Sequence, residues 1–154
     1  YLSENASFEL RLRYDEIRSS QVLFDGIEGS RSRLDLRYRW NDIGHSLAVR
    51  LGLEDNNRRD ANASPSRQRI QADYGYQVND RWGLESMITF RRSDYDDLAL
   101  RRTEDLFSAA LRAVYETRAA WQFSGSYQYS KNDSSDPLFS YHRNLLMLGF
   151  QRLF

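Results

Sequence analysis

The sequence predicts an all-β fold: an antiparallel, up-and-down transmembrane barrel of about eight strands. Three observations predict it. Apolar residues recur with a period of two, the connections between such runs alternate short and long, and the aromatic residues gather at the ends of the apolar phase. A period of two places successive side chains on opposite faces of a strand, so each run carries one greasy face and one charged face.

The first run is Phe8-Glu9-Leu10-Arg11-Leu12-Arg13-Tyr14, apolar at even positions and charged at odd ones, and Leu34-Asp35-Leu36-Arg37-Tyr38-Arg39-Trp40 repeats it. Weaker versions follow at Leu47 to Leu53, Ile70 to Val78, Trp82 to Phe90, Phe107 to Tyr115, Trp121 to Tyr129 and Leu146 to Phe154. Strands of roughly 9–12 residues have the length that a tilted strand needs to cross a bilayer. Asn41-Asp42-Ile43-Gly44, Asn79-Asp80-Arg81 and Glu116-Thr117-Arg118-Ala119 read as tight turns. Arg18 to Gly29, Asp55 to Ser66, Arg92 to Glu104 and Lys131 to Tyr141 read as longer loops on the other rim. Residues 1–154 form a single barrel domain, with the hairpin as the only repeat.

Composition narrows the function classes. With 40% hydrophobic and 29% charged residues and a mean hydropathy of -0.75, no apolar run is long enough for a membrane-spanning helix. A net charge of zero gives no electrostatic case for nucleic acid. The absence of cysteine removes disulfides, thiolate metal sites and cysteine nucleophiles. Of 22 basic residues only Lys131 is a lysine, which suits sites where a rigid guanidinium fork pairs with carboxylates. No cofactor or metal is expected.

Alternation alone does not say which face is buried, because a soluble lipocalin-like barrel alternates too. Three features favour a polar lumen. The charged face, with Glu9, Arg11, Arg13, Asp35, Arg37, Arg39, Arg50, Arg69, Asp73, Glu85, Arg91 and Arg112, interleaves both signs so that neighbouring strands neutralise one another. Trp40, Trp82 and Trp121 all flank the short turns in the apolar phase, and with Tyr115 and Phe154 they form a girdle at one rim. Tyr14, Phe90, Phe107 and Tyr129 mark a second girdle. Finally, Phe154 follows Phe150, Leu148 and Leu146 in phase.

On that last pattern the sequence resembles the bacterial outer-membrane β-barrel class, whose final strand ends in an aromatic residue preceded by apolar residues at alternate positions. The resemblance implies an outer-membrane location, short turns on the periplasmic side, contact with lipid and lipopolysaccharide, and Leu146, Leu148, Phe150 and Phe154 as the signal read by the barrel assembly machinery. Arg152 departs from the pattern by pointing a cation outward. Asn132 to Asn144 further resembles the last loop and strand entry of barrels that follow periplasmic helical repeats, among them surface lipoprotein assembly modifiers and exopolysaccharide export porins.

Two functions follow as expectations. One is a closed barrel with a charged, plugged lumen, serving as membrane scaffold and surface-loop binding module. The other is the C-terminal part of a larger export porin for polysaccharide or lipoprotein. Catalysis is not expected: His142, with Ser140 and Asn144 nearby, is the only grouping with hydrolase-like residue types at the loop rim, and His45 sits at the opposite rim. The acidic clusters Asp94 to Asp97 and Asp133 to Asp136 read as solvated loop charge, with divalent ions or lipopolysaccharide phosphates as the sharper reading. The oligomeric state is left open.

Overall fold

The computed structural model describes residues 5–18, 28–96, 98 and 100–152. Eight strands make one antiparallel sheet in sequence order: β1 (Ala6–Ile17), β2 (Gly29–Asp42), β3 (His45–Arg58), β4 (Ser66–Asn79), β5 (Trp82–Tyr95), β6 (Arg102–Glu116), β7 (Trp121–Ser134) and β8 (Tyr141–Arg152). Each strand pairs with the next, as an up-and-down meander requires, and class, direction and strand number are those expected from the alternation. The sheet is compatible with an eight-stranded barrel. Among the described residues, however, β1 and β8 do not pair, so the sheet is open with two free edges.

The strands are longer than the apolar runs, at 12 to 15 residues. Their extra length lies at the loop rim, where Asp55 to Arg58, Arg92 to Tyr95 and Lys131 to Ser134 continue the ladder although their side chains are polar. Polar residues had marked these stretches as loop. Backbone pairing does not depend on side-chain polarity once the hairpin is in register, so the strands run on.

The short turns close as their sequences suggest. Gly44 adopts φ 74, which a glycine reaches without steric cost. The Asn79 side chain accepts the backbone N–H groups of Arg81 (2.9 Å) and Trp82 (3.0 Å). Thr117 accepts from the Trp121 N–H at 3.1 Å, and Ala120 takes the left-handed φ of 59. The two described loops fold on themselves as short 3-10 turns, Ala61–Ala63 and Pro137–Phe139, each capped by an aspartate.

Register fixes which side chains share a face. Opposed pairs such as Leu10/Leu36, Leu36/Leu51, Leu51/Ile70, Ile70/Phe90 and Phe90/Phe107 line the outer face from β1 to β6. That face is exposed: Leu12 is 75% and Leu148 is 82% accessible. Tyr95 is the only buried large apolar side chain among the described residues. The tightly packed side chains are instead polar and inward, including Gln71, Thr89, Ser93, Ser108, Ser130 and Asn132. Ser108 and Ser130 hydroxyls meet at 3.1 Å while Gln128 donates to both, at 3.2 and 3.3 Å.

Gly29 opens β2 at φ 138, and a Cβ there would lie 2.0 Å from the Asn57 carbonyl oxygen. Replacing it forces both the dihedral and the β2–β3 ladder to move. We expect Gly29→Ala to lower stability by more than about 1 kcal/mol in urea titrations. Gly83→Ala, where the nearest atom is the end of the Gln77 side chain at 3.4 Å, should change it by less than about 0.5 kcal/mol.

Candidate functional site: the arginine-rich inner face

All twelve charged residues singled out in the sequence fall on one face, opposite the leucine and aromatic face, because each occupies the alternate phase of its strand. Register brings Glu9 opposite Arg37, Arg11 opposite Asp35, and Glu85 opposite Arg112. Six carboxylates answer eight arginines. Glu9 receives Arg11 (2.6 Å) and Arg39 (3.4 Å), and Asp15 receives Arg31 (2.7 Å) and Arg13 (3.1 Å). Asp35 pairs with Arg33 (2.7 Å), Glu54 with Arg67 (3.1 Å), Asp73 with Arg50 (3.6 Å) and Glu85 with Arg112 (3.1 Å).

The pairing is incomplete in a specific way. Arg13 faces Arg33, Arg37 faces Arg50, and Arg69 faces Arg91 directly across neighbouring strands. Like charges in register repel, so the face is held together by carboxylates diagonal to these pairs and by neutral bridges. Gln71 is such a bridge, hydrogen-bonded to Arg69 and donating its amide to Asp73 at 2.8 Å. Among the described residues Arg37, Arg69 and Arg91 have no carboxylate within ion-pairing distance, and the Nε atoms of Arg37 and Arg91 are shielded from water without a hydrogen-bond acceptor. The face therefore presents guanidinium groups in excess of its own carboxylates. Arg33, Arg67, Arg69 and Arg91 surround a hollow of about 120 Å³ over Gly52, whose wall also holds the Glu54 carboxylate paired with Arg67.

The charge is not spread evenly around the sheet. On β6 to β8 the middle of the same face carries mostly small, neutral or apolar residues, among them Ala110, Ser124, Ser126, Gln128, Leu145, Met147 and Gly149, with Arg112 and Arg143 as charged exceptions and Arg102, Glu104 and Glu116 nearer the strand ends. Sequence inspection missed Arg31 and Arg67, although Arg67 lies two residues from Arg69 and Arg31 four from Asp35, both already in phase. It also missed a cluster at the loop rim. There the Arg102 guanidinium sits between the rings of Tyr95 (4.1 Å) and Phe139 (3.9 Å) and pairs with Glu104 at 3.0 Å. Phe139 lies far from Tyr95, Arg102 and Glu104 in sequence, and only the meander brings it to them. The cluster seats the last loop on the rim, helped by the Asn132 amide, which donates to the Phe139 carbonyl at 2.8 Å. Just beyond β1, Arg18 donates to Glu16 at 2.8 Å, and that hydrogen bond with the carboxylate's attraction raises the guanidinium pKa.

Trp40, Trp82, Tyr115 and Trp121 all lie on the outer face at the short-turn rim, with Trp82 and Tyr115 rings 4.7 Å apart. Leu146, Leu148 and Phe150 project from the same face of β8, whereas Phe154 lies outside the described residues. Arg152, the departure from the terminal pattern, stands opposite Trp121 with its guanidinium 5.9 Å from the indole. The aromatic face partners its charge. Phe90, Phe107 and Tyr129 continue as neighbours on three strands, while Tyr14 sits on the free edge strand β1.

The residues with hydrolase-like identities are not assembled. The Ser140 hydroxyl is engaged with the Ser134 backbone, Asn144 accepts from the Tyr127 hydroxyl at 2.6 Å, and His142 faces outward opposite Lys131. His45 Nδ1 lies 2.8 Å from the Tyr74 hydroxyl, at the other rim. Asp94, Asp96 and Asp133 pair with Arg92, Arg101 and Lys131, and Asp136 caps the last loop; Asp97 lies outside the described residues.

Glu54 is the most enclosed carboxylate of the six, and it also accepts from the Asn56 amide at 2.8 Å. We expect Glu54→Gln to cost about 1–2 kcal/mol of stability by urea titration, since Arg67 loses a charge-assisted partner. Glu85→Gln, at an exposed pair, should cost less than about 0.5 kcal/mol. No protein family, curated protein or solved structure matches the chain.

Proposed function

We propose that this chain is wall of an integral bacterial outer-membrane β-barrel whose arginine-rich inner face lines an aqueous path for anionic cargo, in the manner of an export porin for polysaccharide or lipoprotein. The observation that carries the reading is the division of one sheet into an outer face of exposed leucine and aromatic side chains and an inner face of arginine in excess of carboxylate. Among the described residues this apolar face has no counterpart to pack against, and hydrocarbon supplies one. A sheet survives in hydrocarbon because its strands satisfy each other's backbone groups. The short-turn rim, with its tryptophans, lies on the periplasmic side, and the loop rim faces outward with lipopolysaccharide. During biogenesis β8 is the strand presented to the barrel assembly machinery.

A second reading is supported by the ion pairs themselves. Six carboxylates interleaved with arginines would also serve as a hydrogen-bonded plug in a scaffold barrel with little conductance. Arg37, Arg69 and Arg91, which have no carboxylate partner among the described residues, favour the path over the plug.

Planar-bilayer recording of the refolded protein separates these readings. The aqueous path predicts steps of conductance with preference for anions, and Arg37→Gln with Arg50→Gln should reduce that preference at unchanged folding. A heat-modifiable, non-conducting barrel would support the plug instead. Failure of the protein to float with liposomes would remove the membrane reading altogether.

A further inference from the structure

The meander contains a larger repeat than the hairpin. Strand β5 begins 76 residues after β1 (82 against 6), and β7 begins 76 after β3 (121 against 45), both of the latter being 14 residues long. At this spacing Phe8, Leu12 and Tyr14 match Leu84, Ile88 and Phe90, all outward. Ile70, Ala72 and Tyr74 match Leu146, Leu148 and Phe150, again outward. Strands β2 and β6 match with one residue fewer, as Trp40 and Tyr115 show.

The loops carry the repeat at atomic detail. Asn56-x-x-x-Asp60-x-x-x-Ser64 and Asn132-x-x-x-Asp136-x-x-x-Ser140 stand 76 residues apart. Both asparagines are buried, with amides bonded to loop carbonyls. Both aspartates accept the N–H two residues on, at 2.9 and 3.1 Å. Both serine hydroxyls accept the N–H six residues back, at 2.8 and 3.0 Å. The chain is thus two copies of a four-stranded unit, joined where β4 pairs with β5.

That junction specifies what the free edge of β8 is built to accept. Because β8 corresponds to β4 and β1 to β5, we propose that β8 pairs with β1 of a second copy of this chain, in the register that β4 uses for β5. The Ile70/Phe90, Ala72/Ile88 and Tyr74/Ser86 pairs then translate into Leu146/Tyr14, Leu148/Leu12 and Phe150/Leu10. All are apolar and outward. On the inner face Asp73/Met87 translates into Gly149/Arg11, setting a residue without a side chain against a long arginine.

Closure by the chain's own β1 is disfavoured by the inner face. A ring of eight strands has room only for packed side chains. It would press Arg13/Arg33, Arg37/Arg50 and Arg69/Arg91 together without water, and Arg37, Arg69 and Arg91, without carboxylate partners among the described residues, would become unpaired buried charge, which is strongly destabilising. In the open sheet Arg11 and Arg13 side chains are 67% and 60% exposed. A wider wall, with a second copy continuing the sheet at β8, leaves an aqueous interior that keeps them hydrated. The inference rests on the membrane reading above and extends it to assembly.

The chain has no cysteine, so cross-links report without background. Leu12→Cys and Leu148→Cys chains, made separately, are mixed, refolded in detergent and oxidised. Directly opposed residues of antiparallel strands have the Cα separation a disulfide needs. The expected result is a band at twice the 18.2 kDa chain mass, lost when Phe150→Cys replaces Leu148→Cys. A double-cysteine chain that cross-links within itself, or no cross-link from either experiment, overturns the proposal. Liposome flotation of the uncrosslinked protein, run alongside, reports separately on whether the membrane reading itself fails.

Discussion

The antiparallel backbone ladder is the constraint on which everything else depends. Each strand from β2 to β7 has its N–H and C=O groups answered on both sides by chain neighbours, and the ladder forces side chains into two sets with a period of two. Once Leu36 is opposite Leu51 and Arg37 opposite Arg50, a slip of one residue would carry arginines to the apolar face along the whole strand. The division into apolar and charged faces therefore holds the register, and the register holds the division.

From this follows the unusual placement of polar and apolar groups. An ordinary domain buries leucine and exposes arginine; here leucine and aromatic rings are exposed, and serine, glutamine, asparagine and threonine are packed. Burial of these polar groups is tolerable because they satisfy one another, as in the Ser108–Ser130–Gln128 group, or take backbone partners, as Asn56 and Asn132 do. The charged face is stabilised less by any single ion pair than by distribution, since most of its pairs remain accessible to solvent. An excess of guanidinium groups on such a face attracts anions and is left hydrated at little cost.

The rims differ in how they are fixed. At the short-turn rim, local chemistry suffices: a glycine at positive φ, an asparagine side chain and a threonine hydroxyl each close a turn within a few residues. At the loop rim, order comes from contacts distant in sequence, with Arg102 stacked between rings from β5 and the last loop. The repeated Asn, Asp and Ser framework gives two loops the same folded core while leaving their remaining residues free to differ.

The sequence by itself determined the strands, their alternation of face and the short turns, because period two, Gly44, Asn79 and Thr117 act over a few residues. It also put the twelve singled-out charges in one phase and the tryptophans in the other, since phase alone decides those faces. Strand ends escaped it: Asp55 to Arg58 and Lys131 to Ser134 are polar, and only pairing with a neighbour shows that they belong to the ladder. Only the tertiary structure decided which arginines face one another, that Arg37, Arg69 and Arg91 lack carboxylate partners among the described residues, and that Arg102 meets Phe139. It also left β1 and β8 apart, giving an open sheet where alternation had suggested a ring. These are outcomes of register between strands and of how many strands share one wall, and neither quantity is written in the local pattern of any one of them.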